Sequence, residues 1–596
     1  MRKIGLCGIA MLLTVLVACG GGSSTAPPPP PPPPTPSLVS IDLTPTGPGI
    51  VVGHIEQFTA TGHFDDGSTQ DITSSAAWTT SDSAIATVNS AGQATGVAVG
   101  AVTVTVTQSS ISNSTALNVV AAPGPTLNGR YAFTLQGADT RGDQFFTGSF
   151  TADGNGNISG AVDANTGSGL VLNEPVSGTY TMFSDGRGTI QVNPDPSGFF
   201  ILGIRLRFIL SASGASGKMM EFDGLGTLKG SFKQQAGASA LDLGRYVFLL
   251  GGPNATSGPV GQVGVFETDG LTGITGGLLD ADDAGTITQA PLTADPNAYT
   301  DPDANGRGTL KITTAAGTAN YVYYAIDADH LNLIQVDASP STALGGVAEL
   351  QSGVNSDDTD LTGHYALLMD HPSIQGATRA SDRGEFNKIG QFVADGLGNV
   401  TSGKQDEDNG TQNPVTVQAG SHYNISGTDA RGTITVNLSD GTAETSVFYM
   451  VSPSKLFILQ TLNGANPYST PPVGVAEITD AGGFSNNTLS GSYALTASEL
   501  TEDYSEILMQ LVFDGAGNAS GIADSSVDGV VSSTPVTFLY TTSINPNTGR
   551  GLIGSQDANH SFNYVLYLIS PSKAWILGDK GPNLDGPDSD GSIEVQ

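Results

Sequence analysis

The chain has 596 residues, 79 of them glycine and only 13% charged, with 56 acidic residues against 22 basic ones for a net charge of −34. A polyanion of this kind has no basic footprint for phosphate, which argues against nucleic acid as a partner. The length calls for several domains. Strand-forming Val, Ile, Thr, Tyr and Phe alternating with Gly, Asn, Asp and Ser is the pattern of short strands and tight turns, so the fold class is all-β.

In chain order, Arg2 and Lys3 precede an apolar run from Ile4 to Val17 that is too short to span a bilayer and is expected to be a secretory signal, residues 1–18. The run ends in Leu16-Val17-Ala18-Cys19, which resembles the lipobox of bacterial lipoproteins. That resemblance implies cleavage before Cys19 and acylation of its thiol, so that Cys19 is the lipidation site and anchors the chain to a membrane. Several acyl chains give durable anchoring where one is marginal. Gly20 is not the Asp that retains enteric lipoproteins at the inner membrane, so the expected address is the bacterial outer membrane or cell surface. The only other cysteine, Cys7, lies within the signal, so no disulfide is expected in the mature chain.

Residues 19–37 read as a tether. Gly20 to Ser24 is flexible, and the eight prolines Pro27 to Pro34 favour polyproline II, an extended spacer of roughly 25 Å at about 3.1 Å per residue.

Residues 38–121 follow, with Ile41-Asp42-Leu43-Thr44-Pro45, Gln57-Phe58-Thr59-Ala60-Thr61-Gly62, Asp66-Gly67-Ser68, Asp71-Ile72-Thr73, Trp78, Ala84 to Val88, and Thr95-Gly96-Val97. Phe58, Ala60 and Gly62 alternate with polar residues, as do Val102, Val104 and Val106, which reads as the half-buried strands of a sandwich. Trp78 is expected in its core. The order and spacing of these residues resemble the group 2 bacterial immunoglobulin-like domain, a family of adhesins and stalk-like surface proteins. The resemblance implies a spacer without catalytic residues.

Beyond residue 125 one set of signatures recurs four times, in repeats at 125–236, 241–352, 360–480 and 487–596. Each opens on Gly-x-Tyr, with Tyr131, Tyr246, Tyr365 and Tyr493 separated by 115, 119 and 128 residues, which is domain length. An Asp-Gly turn follows at Asp153, Asp269, Asp395 and Asp514, then an Arg-Gly turn at Arg187, Arg307, Arg431 and Arg550. About eight strands per repeat, joined by hairpins, predict up-and-down antiparallel barrels; two-sheet sandwiches are the alternative. In Ile204 to Leu210 the alternation is sharpest, with Leu206 and Phe208 on one face and Arg205 and Arg207 on the other. Phe208, Tyr449 and Tyr564 are expected to point inward and fill the barrels.

The Asp153-Gly154-Asn155-Gly156-Asn157 turn superficially resembles a calcium loop, but Ile158 and Ala164 stand where an EF-hand needs Gly and Glu. A hairpin turn explains all four copies. Loose Ca²⁺ association with scattered carboxylates is a further alternative. A second acidic residue recurs at Asp163, Asp280, Asp406 and Asp524. Each recurring Arg is expected to cap a barrel end by bonding turn carbonyls or a recurring Asp.

Seven histidines (His54, His63, His330, His364, His371, His422 and His560) neither cluster nor recur in register, so no metal is expected. No nucleophile elbow, phosphate loop or nucleotide fingerprint appears. No catalytic residue and no cofactor are therefore assigned, and the chain is not read as an enzyme. The leading expectation is an adhesive or structural surface protein making weak multivalent contacts with glycans, extracellular matrix or other surface proteins. Barrels that hold a small ligand or carbohydrate come second, and a divergent polysaccharide hydrolase last.

Overall fold

The computed structural model describes residues 36–595, apart from 53–54, 121–125, 195–202, 338–343, 371–387, 408–413, 462–472, 556–562, 579–589 and several gaps of one to three residues. Residues 1–18, expected to be a secretory signal, lie outside the described residues together with Cys19 and the polyproline run, as do His54, His371 and His560. The described chain is β throughout, with only two single-turn 3-10 helices, and no helix in it is long and apolar enough to cross a membrane. It divides into two compact units, residues 1–122 and 123–596.

The first unit is a sandwich of short strands. Leu38–Thr44 pairs with Thr59–Phe64, while Ile111–Val120 and Gly100–Gln108 form the longest hairpin. Alternation along these strands puts Phe58, Ala60, Val102, Val104, Val106, Leu117 and Val119 in one core. Trp78 packs against that core, with its ring 6.3 Å from Phe58 and its indole N–H donated to the Thr73 carbonyl at 2.8 Å. The aromatic body is half-buried and the polar tip satisfied.

The second unit is four up-and-down antiparallel meanders, two of them closed barrels and two barrel-like sheets whose ladders do not close. The first runs through eight consecutive strands, from Asn128–Asp139 to Lys229–Gln234, and closes by pairing the last strand with the first. The fourth closes in the same way from Ser490–Leu500 to Asp590–Val595. The second barrel is an eight-stranded sheet whose ladder opens between Thr286–Pro291 and Arg307–Thr314. Residues 292–300 span that gap: Thr293 N–H bonds the Thr313 carbonyl and Lys311 N–H the Ala298 carbonyl, both at 2.7 Å. The third barrel has nine strands because its fourth is broken into Val415–Thr416 and His422–Ser426.

Each barrel has its own core. Tyr131, Phe150, Phe208 and Phe232 fill much of the first, and Tyr246, Phe266, Tyr321 and Tyr323 the second. The glycine of three of the four Arg-Gly turns is explained here. A Cβ on Gly188, Gly308 or Gly432 would overlap the ring of Phe208, Tyr323 or Phe448 on the paired sixth strand. The fourth barrel has Leu566 there, and Gly551 has more room. Phe208 and Tyr564 point inward as expected. Tyr449 does not: it lies on the outer face of its barrel, in a cluster with valines of the preceding one.

Candidate functional site

The outer faces of the barrels meet. In every repeat the first two strands, and in the first two repeats the third as well, pack against the sixth and seventh strands of the next repeat. Strands with an apolar outer face need such a cover, and they find it in four clusters. Phe145 meets Val322 and Tyr324 between the first and second barrels; Val263 and Val265 meet Val447 and Tyr449 between the second and third. Ile389 meets Val565 and Tyr567 between the third and fourth. The last cluster joins Leu508 and Ala494 of the fourth barrel to Ile209, Met220 and Phe222 of the first. A head-to-tail interface that closes on itself makes a ring, here within one chain.

The recurring aspartates and arginines meet at these joints. Asp163 on the third strand of the first barrel accepts Nε and Nη2 of Arg307 in the second, both at 2.8 Å. Asp280 accepts Arg431 of the third barrel at 2.7 and 2.8 Å, and Asp406 accepts Arg550 of the fourth at 2.8 and 2.6 Å. The series returns to the start: Asp524 of the fourth barrel accepts Nη1 of Arg187 in the first, at 3.1 and 3.0 Å. Each arginine thus crosses to the aspartate of the preceding repeat instead of reaching the one in its own barrel. The aspartates are between 0% and 7% exposed, so each carboxylate depends on these bonds.

Three tyrosines that the repeat signatures did not single out complete the first three clamps. The hydroxyls of Tyr324, Tyr449 and Tyr567 donate to Asp163, Asp280 and Asp406 at 2.8, 2.6 and 2.7 Å. Burial, and next the adjacent carboxylate, hold all three phenols far above their ordinary pKa, so they remain donors at any physiological pH. For Arg307 and Arg431 the hydrogen bond to the aspartate is the largest influence and raises the guanidinium pKa; for Arg550 and Arg187 burial opposes but is outweighed.

Further bonds follow the same direction. Lys455 binds Glu349 of the preceding repeat at 2.6 and 2.8 Å, and Lys573 binds Glu477 at 2.8 Å to both oxygens. Each linker also hydrogen-bonds the barrel it enters: Ala236, Ser352 and Asp480 donate their N–H to the carbonyls of Ile326, Val451 and Ile569, each at 2.9 Å.

The Asp-Gly turns lie apart from the clamps. Asp153 accepts the N–H groups of Asn155 and Asn157 at 2.7 and 3.0 Å and the Asn157 amide at 2.7 Å, and Asp395 and Asp514 repeat the pattern. Asp269 accepts from Leu271 and Gly273. Hydrogen bonds to the charged form lower the pKa of Asp153, Asp269 and Asp395, and for Asp514 burial opposes them but is outweighed. Among the described residues no three His, Cys, Asp or Glu are grouped so as to hold a metal ion.

Of the comparisons with known proteins, the family match falls on the first unit. Residues 38–119 match the model of the bacterial Ig-like domain (group 2), and this segment of the chain belongs to that family. A curated relative, ice-binding protein 1 of Shewanella frigidimarina, is 41% identical over 91 residues, 14% of this chain; the chain spans 10% of that relative's length. Among solved structures, the intact two-lobed Ap-TbpB aligns over 64% of this chain and 84% of its own, at 11% identity and a TM-score of 0.17. A transferrin-binding protein B mutant of Haemophilus parasuis Hp5 aligns over 79% of this chain and 94% of its own, at 12% identity and the same score. Superpositions this poor carry no argument.

Proposed function

We propose that this protein is an exported, lipid-anchored surface protein whose four-barrel ring is a rigid adhesive head. Cys19 carries the lipid, residues 19–37 form the tether, and the Ig-like domain follows as a spacer. The head makes weak multivalent contacts with glycans, matrix or other surface proteins, and the role is non-enzymatic.

The observation that carries this reading is the closed circuit of clamps from Asp163–Arg307 round to Asp524–Arg187. Four similar barrels on flexible linkers explore many separations, whereas four barrels locked together present their outer loops at fixed spacings. Fixed spacing favours simultaneous engagement of a regular polymer or a crowded surface, because little orientational freedom is lost when the second contact forms. The carboxylates and guanidiniums of the clamps are consumed in holding the ring and are poorly placed to act on a substrate.

Two experiments test this. Mass analysis of the membrane fraction is expected to show an acylated N-terminal Cys19, and Cys19→Ser is expected to release the protein into the medium; unmodified Cys19 contradicts the anchor. Screening the full mature chain on glycan arrays and matrix-coated surfaces is expected to show binding that weakens steeply in ring-opening variants such as Asp524→Ala. Binding of equal strength in the opened variant would count against a multivalent head.

A further inference from the structure

The four barrels share a plan but are filled differently. On the sixth strand, two residues before the side chain that faces the Arg-Gly glycine, stand Leu206, Tyr321, Ser446 and Tyr564 in the four repeats in turn. Tyr321 and Tyr564 are 2% and 1% exposed and fill the interiors of the second and fourth barrels. In the third, Glu444 pairs with Lys388 at 2.5 Å, and Gln405 lies 3.3 Å from the same carboxylate.

The first barrel is left hollow. It contains a cavity of about 50 Å³ walled by Leu135, Phe146, Val176, Val192, Leu206 and Met219 among others, with no polar group in its lining. A second observation agrees: Val176, Val192 and Ile204 point inward with the core yet are only half-buried. Inward side chains that stay partly accessible border open space, here at the cavity and the strand ends beside it. Such a space offers water no hydrogen-bond partner, while its walls lack the dispersion contacts a filled core supplies. Two sister barrels show that one larger side chain at the Leu206 position fits this fold.

We propose that the first barrel binds a slim apolar molecule, of the class of a short alkyl segment. The purely apolar lining selects for hydrocarbon and against sugars, ions and water. The small volume favours a narrow chain over a fused ring system, since an engineered cavity of about 150 Å³ is what takes a benzene. This inference is independent of surface adhesion, and the two fail separately.

The test uses the full mature chain and xenon as the probe. Crystals equilibrated under xenon are expected to show one bound atom beside Leu206 and none inside the second or fourth barrel. Leu206→Phe, or Val192→Phe should the first variant fold poorly, is expected to abolish that site and raise the unfolding temperature. In solution, the rise in unfolding temperature under methane, ethane, propane and butane is expected to report an affinity that climbs about fourfold per carbon until the cavity is full. Xenon absent from the first barrel, unchanged uptake in both variants, ordered water in the cavity, or a flat alkane series would overturn the proposal.

Discussion

Three of the four joints connect barrels that are neighbours in sequence, and the fourth connects the two ends of the ring, with no linker to hold it. The tethered joints are nearly alike: a bidentate Asp–Arg pair, a tyrosine hydroxyl, and a valine two residues before that tyrosine (Val322, Val447 or Val565). At the closing joint Ile209 stands in the tyrosine's place and Arg207 in the valine's. Asp524 now faces two guanidiniums, with Arg207 Nε 3.5 Å from its Oδ1, and takes a hydroxyl from Ser533 of its own barrel instead. Arg207 lies over the Phe222 ring at 4.4 Å, yet its Nε and Nη1 are buried without a hydrogen-bond partner. Burial is the main cause of its lowered pKa. The joint that no linker enforces is thus the one with distinct chemistry. A face carrying Arg207 and Ile209 is matched to the fourth barrel and ill-suited to the others, which favours one order of closure.

The comparison can be broken at its strongest point first. Asp280→Ala leaves Arg431 and the Tyr449 hydroxyl buried without their acceptor, and a loss of about 3 kcal/mol is expected in urea unfolding, the usual scale for removing one partner of a buried pair. Asp524→Ala is expected to cost a similar amount and, because no linker holds that joint, also to open the ring, visible as an increased radius of gyration in X-ray scattering. A cost below about 1 kcal/mol at both sites would mean the clamps are ornamental.

A smaller change should go the other way. Arg207→Val restores at the seam the residue type of the other three joints and removes an imperfectly satisfied buried cation; a gain of about 1 kcal/mol is expected from urea midpoints. Marked destabilisation would show that Arg207 holds the seam instead of merely distinguishing it.

The third prediction compares two tethered joints. Asn165, two residues beyond Asp163, donates its amide to the Gln335 carbonyl of the next barrel at 3.1 Å. The same position in the second barrel is Asp282, which is fully buried, with Oδ2 unpartnered and a pKa raised by burial. A raised folded-state pKa means no penalty below the unfolded value and a growing one as pH rises through the folded value. Asp282→Asn is therefore expected to stabilise by about 1 kcal/mol at neutral pH and to lose that advantage below about pH 4. An advantage that persists in acid would assign the effect to something other than ionisation.

The least effect belongs to the exposed Asp-Gly turns. Asp395→Ala removes the acceptor for Leu397 and Asn399, and faster amide exchange confined to that turn is expected, with global stability little changed.

Much of this was legible in the residues. The repeats, the meander of hairpins and the inward positions of Phe208 and Tyr564 follow from period-two patterning and turn chemistry. The partners of the recurring Arg and Asp were not, because 144, 151 or 337 residues separate them and an ion pair leaves no local trace. A usable signal did exist in the sixth strands. Tyr321 to Ala325, Val447 to Val451 and Val565 to Ile569 are apolar at consecutive positions. A strand buried on both faces reads that way, so these runs called for a covering surface outside each barrel. The inward expectation for Tyr449 fails because such a run has no alternation to say which face is which. Arg207 misled in the opposite sense: its alternation with Leu206 and Phe208 suggests a solvent face, and the seam buries it.

Ring closure is tested most directly by distances between spin labels at Asn155, Leu271, Leu397 and Ala516, the third residue of each Asp-Gly turn, introduced in pairs on a Cys19→Ser background. The ring predicts that the 155–516 separation is as narrow and short as those of 155–271, 271–397 and 397–516, and shorter than the diagonals 155–397 and 271–516. A 155–516 separation that is the longest of the set, or a broad one, would contradict it.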